Sequence, residues 1–269
     1  MGELMTRDLL AGPGEVAPRP SASPLTGGRD AQVWRVDEQR VVRRLARAAD
    51  AEFEARVMIY AHSHGVPTPR VHDVTGCDIQ MEYVPGVSML DALVQDPRTF
   101  VNHARALADL HERLHSIEVP SWLPAGGYPA TALLHLDLQP GNVLLGERGP
   151  VLIDWSNASV GPPSLDVAVT WLSIALKGTG QLGASQLHDA RQTFLAAFLR
   201  RFDRAAVVRE LSRGVAFLLA DPLITDEERR AVVAVRDDLQ QLEGRIPGRR
   251  WARGGASDAR IGCPDVEDC

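Results

Sequence analysis

Apolar and polar residues alternate in short runs through the first third of this chain, and helical spacing takes over beyond Pro85. Gln32-Val33-Trp34-Arg35-Val36 and Arg40-Val41-Val42-Arg43-Arg44-Leu45 flank the polar turn Asp37-Glu38-Gln39, which predicts two strands joined tightly. Residues 50–64 carry Phe53, Val57, Ile59, Tyr60 and Ala61 as an apolar stripe, and Gly65 follows as a stop signal. Pro67-Thr68-Pro69 forces extended backbone ahead of Val71. Ile79 to Val84 predicts a further strand, closed by Pro85-Gly86. The expected product is a small sheet with one long helix.

Residues 88–95 and 99–117 are predicted helical, the second with Leu107, Leu110, Leu114 and Ile117 on one face. Two short strands are expected around the loop that holds Asp137 and Asn142 and ahead of Asp154. From Leu165 to Leu242 the pattern predicts helices, broken near Gly178, Asp203 and Asp221-Pro222. Residues 1–22, rich in Pro, Gly, Ala and Ser, predict a flexible extension, and residues 248–269 a disordered tail. The layout is α+β: a strand-rich N-lobe over 23–84 and a mainly helical C-lobe over 85–247, with a cleft between them suited to a nucleotide.

The chemistry concentrates in His135-Leu136-Asp137-Leu138-Gln139-Pro140-Gly141-Asn142, followed by Ile153-Asp154-Trp155. Each polar residue is commonplace alone, an Asp or Asn in a turn above all. Together, ordered between apolar runs, they match what phosphoryl transfer from a nucleotide requires. One carboxylate (Asp137) orients the attacking hydroxyl and accepts its proton, while an amide (Asn142) and a second carboxylate (Asp154) hold magnesium on the phosphates. The stretch follows the catalytic-loop signature of kinases except that Leu136 stands where that signature has Arg. His135 is expected to be a buried ring that shapes the loop, and Asp166 to cap a helix or brace the loop from below. In the N-lobe, Gly27-Gly28 reads as a loop where backbone approaches phosphate. One of Arg43 and Arg44 must face inward by strand alternation, and Glu52 or Glu54 on the following helix is its candidate partner. The backbone around Glu82 and Val84 is placed to meet a purine edge.

Composition excludes some classes and leaves the kinase reading standing. With 45% hydrophobic and 24% charged residues, the 269-residue chain has the makeup of a globular domain. A net charge of −6 without a long Lys/Arg run argues against nucleic acid as a partner. No apolar run is long enough for a membrane span, and the N-terminal stretch has no apolar signal core. Cys77, Cys263 and Cys269 form neither a disulfide framework nor paired metal-ligand spacing, which fits a reducing, cytoplasmic setting. Only twelve positions separate Asp154 from Asp166 and no Ala-Pro-Glu occurs, so there is no room for the activation segment of a protein kinase.

These motifs resemble the aminoglycoside phosphotransferase family, small-molecule kinases of the protein-kinase-like fold. The similarity runs over roughly residues 23–245 and adds Gly65-Val66-Pro67-Thr68-Pro69, Met81-Glu82-Tyr83-Val84-Pro85-Gly86, Leu110-His111-Glu112-Arg113-Leu114-His115 and Leu165-Asp166 to the catalytic stretch. The resemblance implies a two-lobe fold with an antiparallel N-lobe sheet, and Mg2+ with ATP, or GTP, as phosphoryl donor. The acceptor it implies is a hydroxyl of a small molecule, an antibiotic being one candidate class. Residue by residue, it makes Asp137 the catalytic aspartate and Asn142 and Asp154 the metal ligands. It places Arg43 at the phosphate-binding cation, Glu54 at that cation's helix partner, and Glu82 and Val84 at the adenine-binding hinge. The alternative function is a catalytically weak or non-catalytic nucleotide-binding module of the same fold.

Overall fold

The computed structural model describes residues 25–27, 31–123, 131–176 and 184–244. The extension and tail expected at 1–22 and 248–269, Gly28, and the helix break near Gly178 lie outside the described residues. Five strands form one antiparallel sheet: β1 (Thr26–Gly27), β2 (Ala31–Arg35), β3 (Arg40–Leu45), β4 (Val71–Thr75) and β5 (Asp78–Glu82), in the order β1-β2-β3-β5-β4. β4 is an addition to the expected strands. Its exposed His72 and Asp73 and a register shift between Val71 and Asp73 blur the alternation that marks a strand.

Between β3 and β4 runs α1 (Ala48–Ser63), which buries Ala51, Glu54, Ala55, Met58 and Ala61 at i, i+3/i+4 spacing. His64 and Gly65, the latter at φ +82°, end it, because left-handed backbone costs glycine least. Cys77, just before β5, is disulfide-bonded, a bond the cysteine spacing does not announce.

The chain leaves the sheet at Tyr83–Gly86 and enters α2 (Met89–Gln95), which Ser88 caps by accepting from Asp91 N–H at 3.0 Å. This crossing is clamped to β7 (Val143–Gly146): Leu145 N–H donates to Val87 O at 2.9 Å, and Ser88 bridges Leu144. A Cβ on Gly86, whose φ is +153°, would lie 2.3 Å from the Leu145 carbonyl oxygen. Backbone cannot yield as a flexible side chain does, so Gly86→Ala should destabilise by about 1–3 kcal/mol, the cost of local overpacking. Thermal melting against wild type checks this; an unchanged midpoint would show that the crossing opens freely.

The C-lobe centres on α3 (Phe100–Ser116) and α4 (Pro163–Leu176). Leu107, Leu110, His111 and Leu114 bury one face of α3, each leucine stabilising by about 1.5–3 kcal/mol. α4 is buried on almost every side, from Leu165 to Ser173, which marks it as the core helix. Gly214 on α6 (Arg204–Ala220) lets that helix pack close, since a Cβ there would meet Leu172 Cδ1 at 2.9 Å. α5 (Ala184–Leu199) packs on α3, and α7 (Asp226–Gly244) on α6. Two small antiparallel pairs carry the loops: β6 (Ala132–Leu134) with β9 (Ser159–Gly161), and β7 with β8 (Gly149–Leu152). Asp203 caps α6, which gives way to α7 after Asp221-Pro222. No helix among the described residues is long and apolar enough to cross a membrane.

Candidate active site

Strand alternation decides between the paired arginines. In the β3–β5 register Arg43 lies opposite Ile79 and Arg44 opposite Asp78. Arg44 turns outward, where Asp78 takes its guanidinium with two bonds of 2.6 Å. Arg43 turns inward and is buried; its Nε lies 3.1 Å from Glu54 on α1, and its Nη2 donates to Asp154 Oδ1 at 2.7 Å. One buried cation therefore ties β3, α1 and the segment after β8. Glu52 is exposed, whereas Glu54 is almost fully buried and also accepts from Trp155 N–H at 3.3 Å.

Asp154 follows β8 and holds left-handed backbone, φ +67°. Such backbone costs about 1–3 kcal/mol and persists where the surroundings over-determine it, at functional sites above all. Here the Arg43 bond and a 3.1 Å bond donated by Ser156 Oγ fix the carboxylate, while Trp155 is fully buried with Nε1–H on Thr68 Oγ1 at 2.9 Å.

Leu136, between His135 and Asp137, is the other non-glycine residue with positive φ among the described residues, at +59°. Its side chain is buried with Leu134, Leu165 and Val169, which explains an apolar residue at this loop position. The loop hangs on Asp166 of α4. This carboxylate accepts from Leu136 N–H at 2.7 Å, His135 N–H at 3.2 Å and His115 Nε2 at 2.9 Å, so it braces the loop rather than capping its own helix. His135 Nε2 bonds Ile153 O at 3.1 Å and its Nδ1 meets Asp137 N–H at 3.3 Å. Those partners require the neutral ring with the proton on Nε2, and burial indeed lowers its pKa.

Asp137 itself is half-exposed. Gln139 Nε2 donates to its Oδ1 at 2.9 Å and Asn142 Nδ2 to its Oδ2 at 2.7 Å; Asn142 Nδ2 also reaches Asp137 O at 2.9 Å. With the amide nitrogen thus spent, the Asn142 oxygen is the atom left for a cation. The hinge side is equally specific. Glu82's carboxylate is held by Arg148 Nη2 at 3.0 Å and Arg70 N–H at 3.3 Å, and its own N–H donates to Arg70 O at 2.8 Å. Val84 makes no backbone hydrogen bond among the described residues. Gly27 lies in β1, opposite Gln32 of β2.

Gln139, Ser156, Thr170, His111 and His115 are additions to the sequence-derived set. His111 Nε2 donates to Thr170 Oγ1 at 3.1 Å while Thr170 donates onward to Leu138 O at 2.8 Å. His111 Nδ1, fully buried, lies 3.5 Å from Asp166 and makes no hydrogen bond. The donor atoms of His111, His115 and Asp166 fall within 4.8 Å of one another, a spacing open to a metal ion. Asp166, however, already serves two backbone amides and His115, so we read the trio as the loop's anchor. Burial would raise the Asp166 carboxyl, but His111 and His115 bring it well below the ordinary value.

Burial lowers the pKa of His111 as well as His135. The folded chain thus holds fewer protons than the unfolded one as pH falls through 6.5, and acid removes stability. Glu54 works in the opposite sense. Burial, aided by Asp154 and opposed by Arg43, pushes it from 4.5 up to about 7, so between those values the folded state binds the extra proton and gains stability on acidification. Without divalent cations, Glu54→Gln should therefore lose more melting temperature than wild type on going from about pH 7 to about pH 5. Equal losses would contradict the assignment.

With this geometry established, comparisons place the chain among known proteins. The profile of the phosphotransferase enzyme family (APH) matches residues 21–132 and 118–211. No curated protein matches. Among solved structures, the ADP-bound aminoglycoside phosphotransferase APH(2'')-Ib is 15% identical with a TM-score of 0.55, covering 81% of this chain and 91% of its own. A ternary complex of a thermostable mutant of APH(4)-Ia with AMP-PNP and hygromycin B is 15% identical at TM-score 0.53, covering 82% and 90%. Choline kinase from Cryptosporidium parvum is 13% identical at TM-score 0.53, covering 82% and 89%. At these identities the likeness is one of fold: the protein-kinase-like arrangement of antiparallel sheet and helical lobe.

Proposed function

This chain belongs to the phosphotransferase enzyme family, and on that premise we propose that it moves the γ-phosphoryl group of ATP, with Mg2+, to a hydroxyl of a small molecule. The observation that carries the reading is the inward Arg43, held between Glu54 and Asp154 where sheet and helical lobe meet. Such a cation suits the nucleotide's phosphates, and a guanidinium offers them a bidentate fork. Val84's unengaged backbone would receive the base, and Asn142 Oδ1 with Asp154 would hold Mg2+, a hard cation that prefers oxygen ligands. The metal, when bound, neutralises charge developing on the transferring group. Asp137 would orient the acceptor hydroxyl and take its proton. Its two amide donors, Gln139 and Asn142, hold the carboxylate in place.

The paired arginines test this directly. Arg43→Ala should weaken magnesium-ATP binding by about tenfold or more, as loss of a charge-assisted contact implies. Arg44→Ala should leave binding within about twofold, since that guanidinium is bound to Asp78 on the outer face. Titration calorimetry of both variants decides; weakening by Arg44→Ala alone, or by neither, would remove the sheet from the nucleotide site.

A further inference from the structure

Asp154 gives its two carboxylate oxygens different surroundings. Oδ1 accepts from Arg43 Nη2 at 2.7 Å and from Ser156 Oγ at 3.1 Å. A carboxylate oxygen offers two lone-pair sites, so these two donors fill it. Oδ2 makes no hydrogen bond among the described residues, and the side chain that bears it is 26% exposed. Arg43 is itself fixed. Its Nε lies 3.1 Å from Glu54, and the two side chains are 11% and 1% exposed. Freeing Oδ1 would strip this buried guanidinium of its Asp154 partner, and charge-assisted bonds of this kind are the strong ones.

Few other oxygens stand nearby for a cation. Asn142 spends its amide nitrogen on Asp137 and keeps one oxygen. Glu54 is engaged by Arg43 and by Trp155 N–H. Asp137 takes Gln139 on one oxygen and Asn142 on the other. Asn157, next after Ser156, is an amide rather than an acid. Mg2+ is usually bound through one or two carboxylates together with phosphates and water, so Asp154 Oδ2 and Asn142 Oδ1 suffice for one ion. Two ions on one set of phosphates call for a carboxylate that serves both. A second ion on Oδ1 would displace both donors and stand against the Arg43 guanidinium, like charge against like.

Resting on the phosphotransferase reading, we infer that this chain holds a single divalent ion with its nucleotide, through Asp154 Oδ2 and Asn142, and that Arg43 supplies the charge a second ion would bring. Arginine suits this task better than lysine. Its rigid fork reaches Glu54 with Nε and Asp154 with Nη2 at once, whereas an ammonium would have to serve both carboxylates from one nitrogen.

Manganese shares magnesium's preference for oxygen ligands and is paramagnetic, so it can count the ions. The full chain and AMP-PNP are mixed in equal amounts well above their Kd and titrated with Mn2+. The electron-paramagnetic signal of free Mn2+ is followed, with nucleotide alone as the blank. Wild type should saturate at one ion per complex, and Asp154→Asn should weaken that ion about tenfold or more. Arg43→Ala, which removes the cation from Oδ1, should take up a second ion. Should it fail to fold, Arg43→Ala combined with Glu54→Gln replaces it, because that pair leaves Glu54 no unpaired buried charge. Two ions on wild type, one ion on the Arg43 variant, or an unchanged affinity in Asp154→Asn would each overturn the inference. Calorimetry of AMP-PNP binding separates the two levels: nucleotide bound with any of those results defeats the single-ion inference alone, and no nucleotide bound defeats the kinase reading beneath it.

Discussion

Asp137→Ala should reduce turnover by about 10²–10⁴-fold, the range for losing a positioned general base, while magnesium-ATP binding stays near wild type. The separation follows from the geometry. Asp137 is held by Gln139 and Asn142 on the loop, whereas the inward cation Arg43 is bonded to Glu54 and Asp154. Removing the Asp137 side chain strips Asn142 of one of two acceptors but leaves the bond to the Asp137 carbonyl, so the amide keeps an anchor. The loop's other supports, Asp166 to the His135 and Leu136 amides, are untouched. Single-turnover measurement at saturating nucleotide reads the chemical step alone. Near-normal turnover would reduce Asp137 to a loop residue, whereas wild type that binds magnesium-ATP without turning it over would favour a non-catalytic module.

The second large effect is expected at Asp154, and the choice of substitution matters. Alanine would remove the carboxylate while keeping backbone at φ +67°, a region where Asn and Asp are far better tolerated. Asp154→Asn keeps that tolerance and an oxygen for the Ser156 hydroxyl, and removes only the charge. It should melt close to wild type yet lose about 10²–10⁴ in turnover, several kcal/mol of metal-borne charge stabilisation at 1.36 kcal/mol per decade. Raising magnesium should recover only part of it. Full activity at ordinary magnesium would show that the carboxylate orients Arg43 and holds no metal.

Local chemistry makes the catalytic stretch legible in the amino-acid sequence. The Asp137–Asn142 spacing is closed by hydrogen bonds within the loop itself, so both residues can be identified from one short segment. Helices α1, α3 and α6 follow from apolar spacing and from stops at Gly65 and Asp221-Pro222. The strands that escape this reading are β4, with its polar edge, and β9, three residues of Ser-Val-Gly that pair only because β6 lies alongside.

Other features depend on long-range packing. Alternation guarantees that Arg43 and Arg44 face opposite ways, but which one points inward is set by pairing against β5, since a one-residue slip exchanges them. The His111–His115–Asp166 anchor joins residues about fifty positions apart, and only the packing of α3 against the loop and α4 reveals it. By itself the sequence determined which loop residues, Asp137 and Asn142, stand together as candidates, because their geometry is local. The tertiary structure alone decided which cation turns inward and what holds the loop, because each depends on surfaces distant in the chain meeting in space.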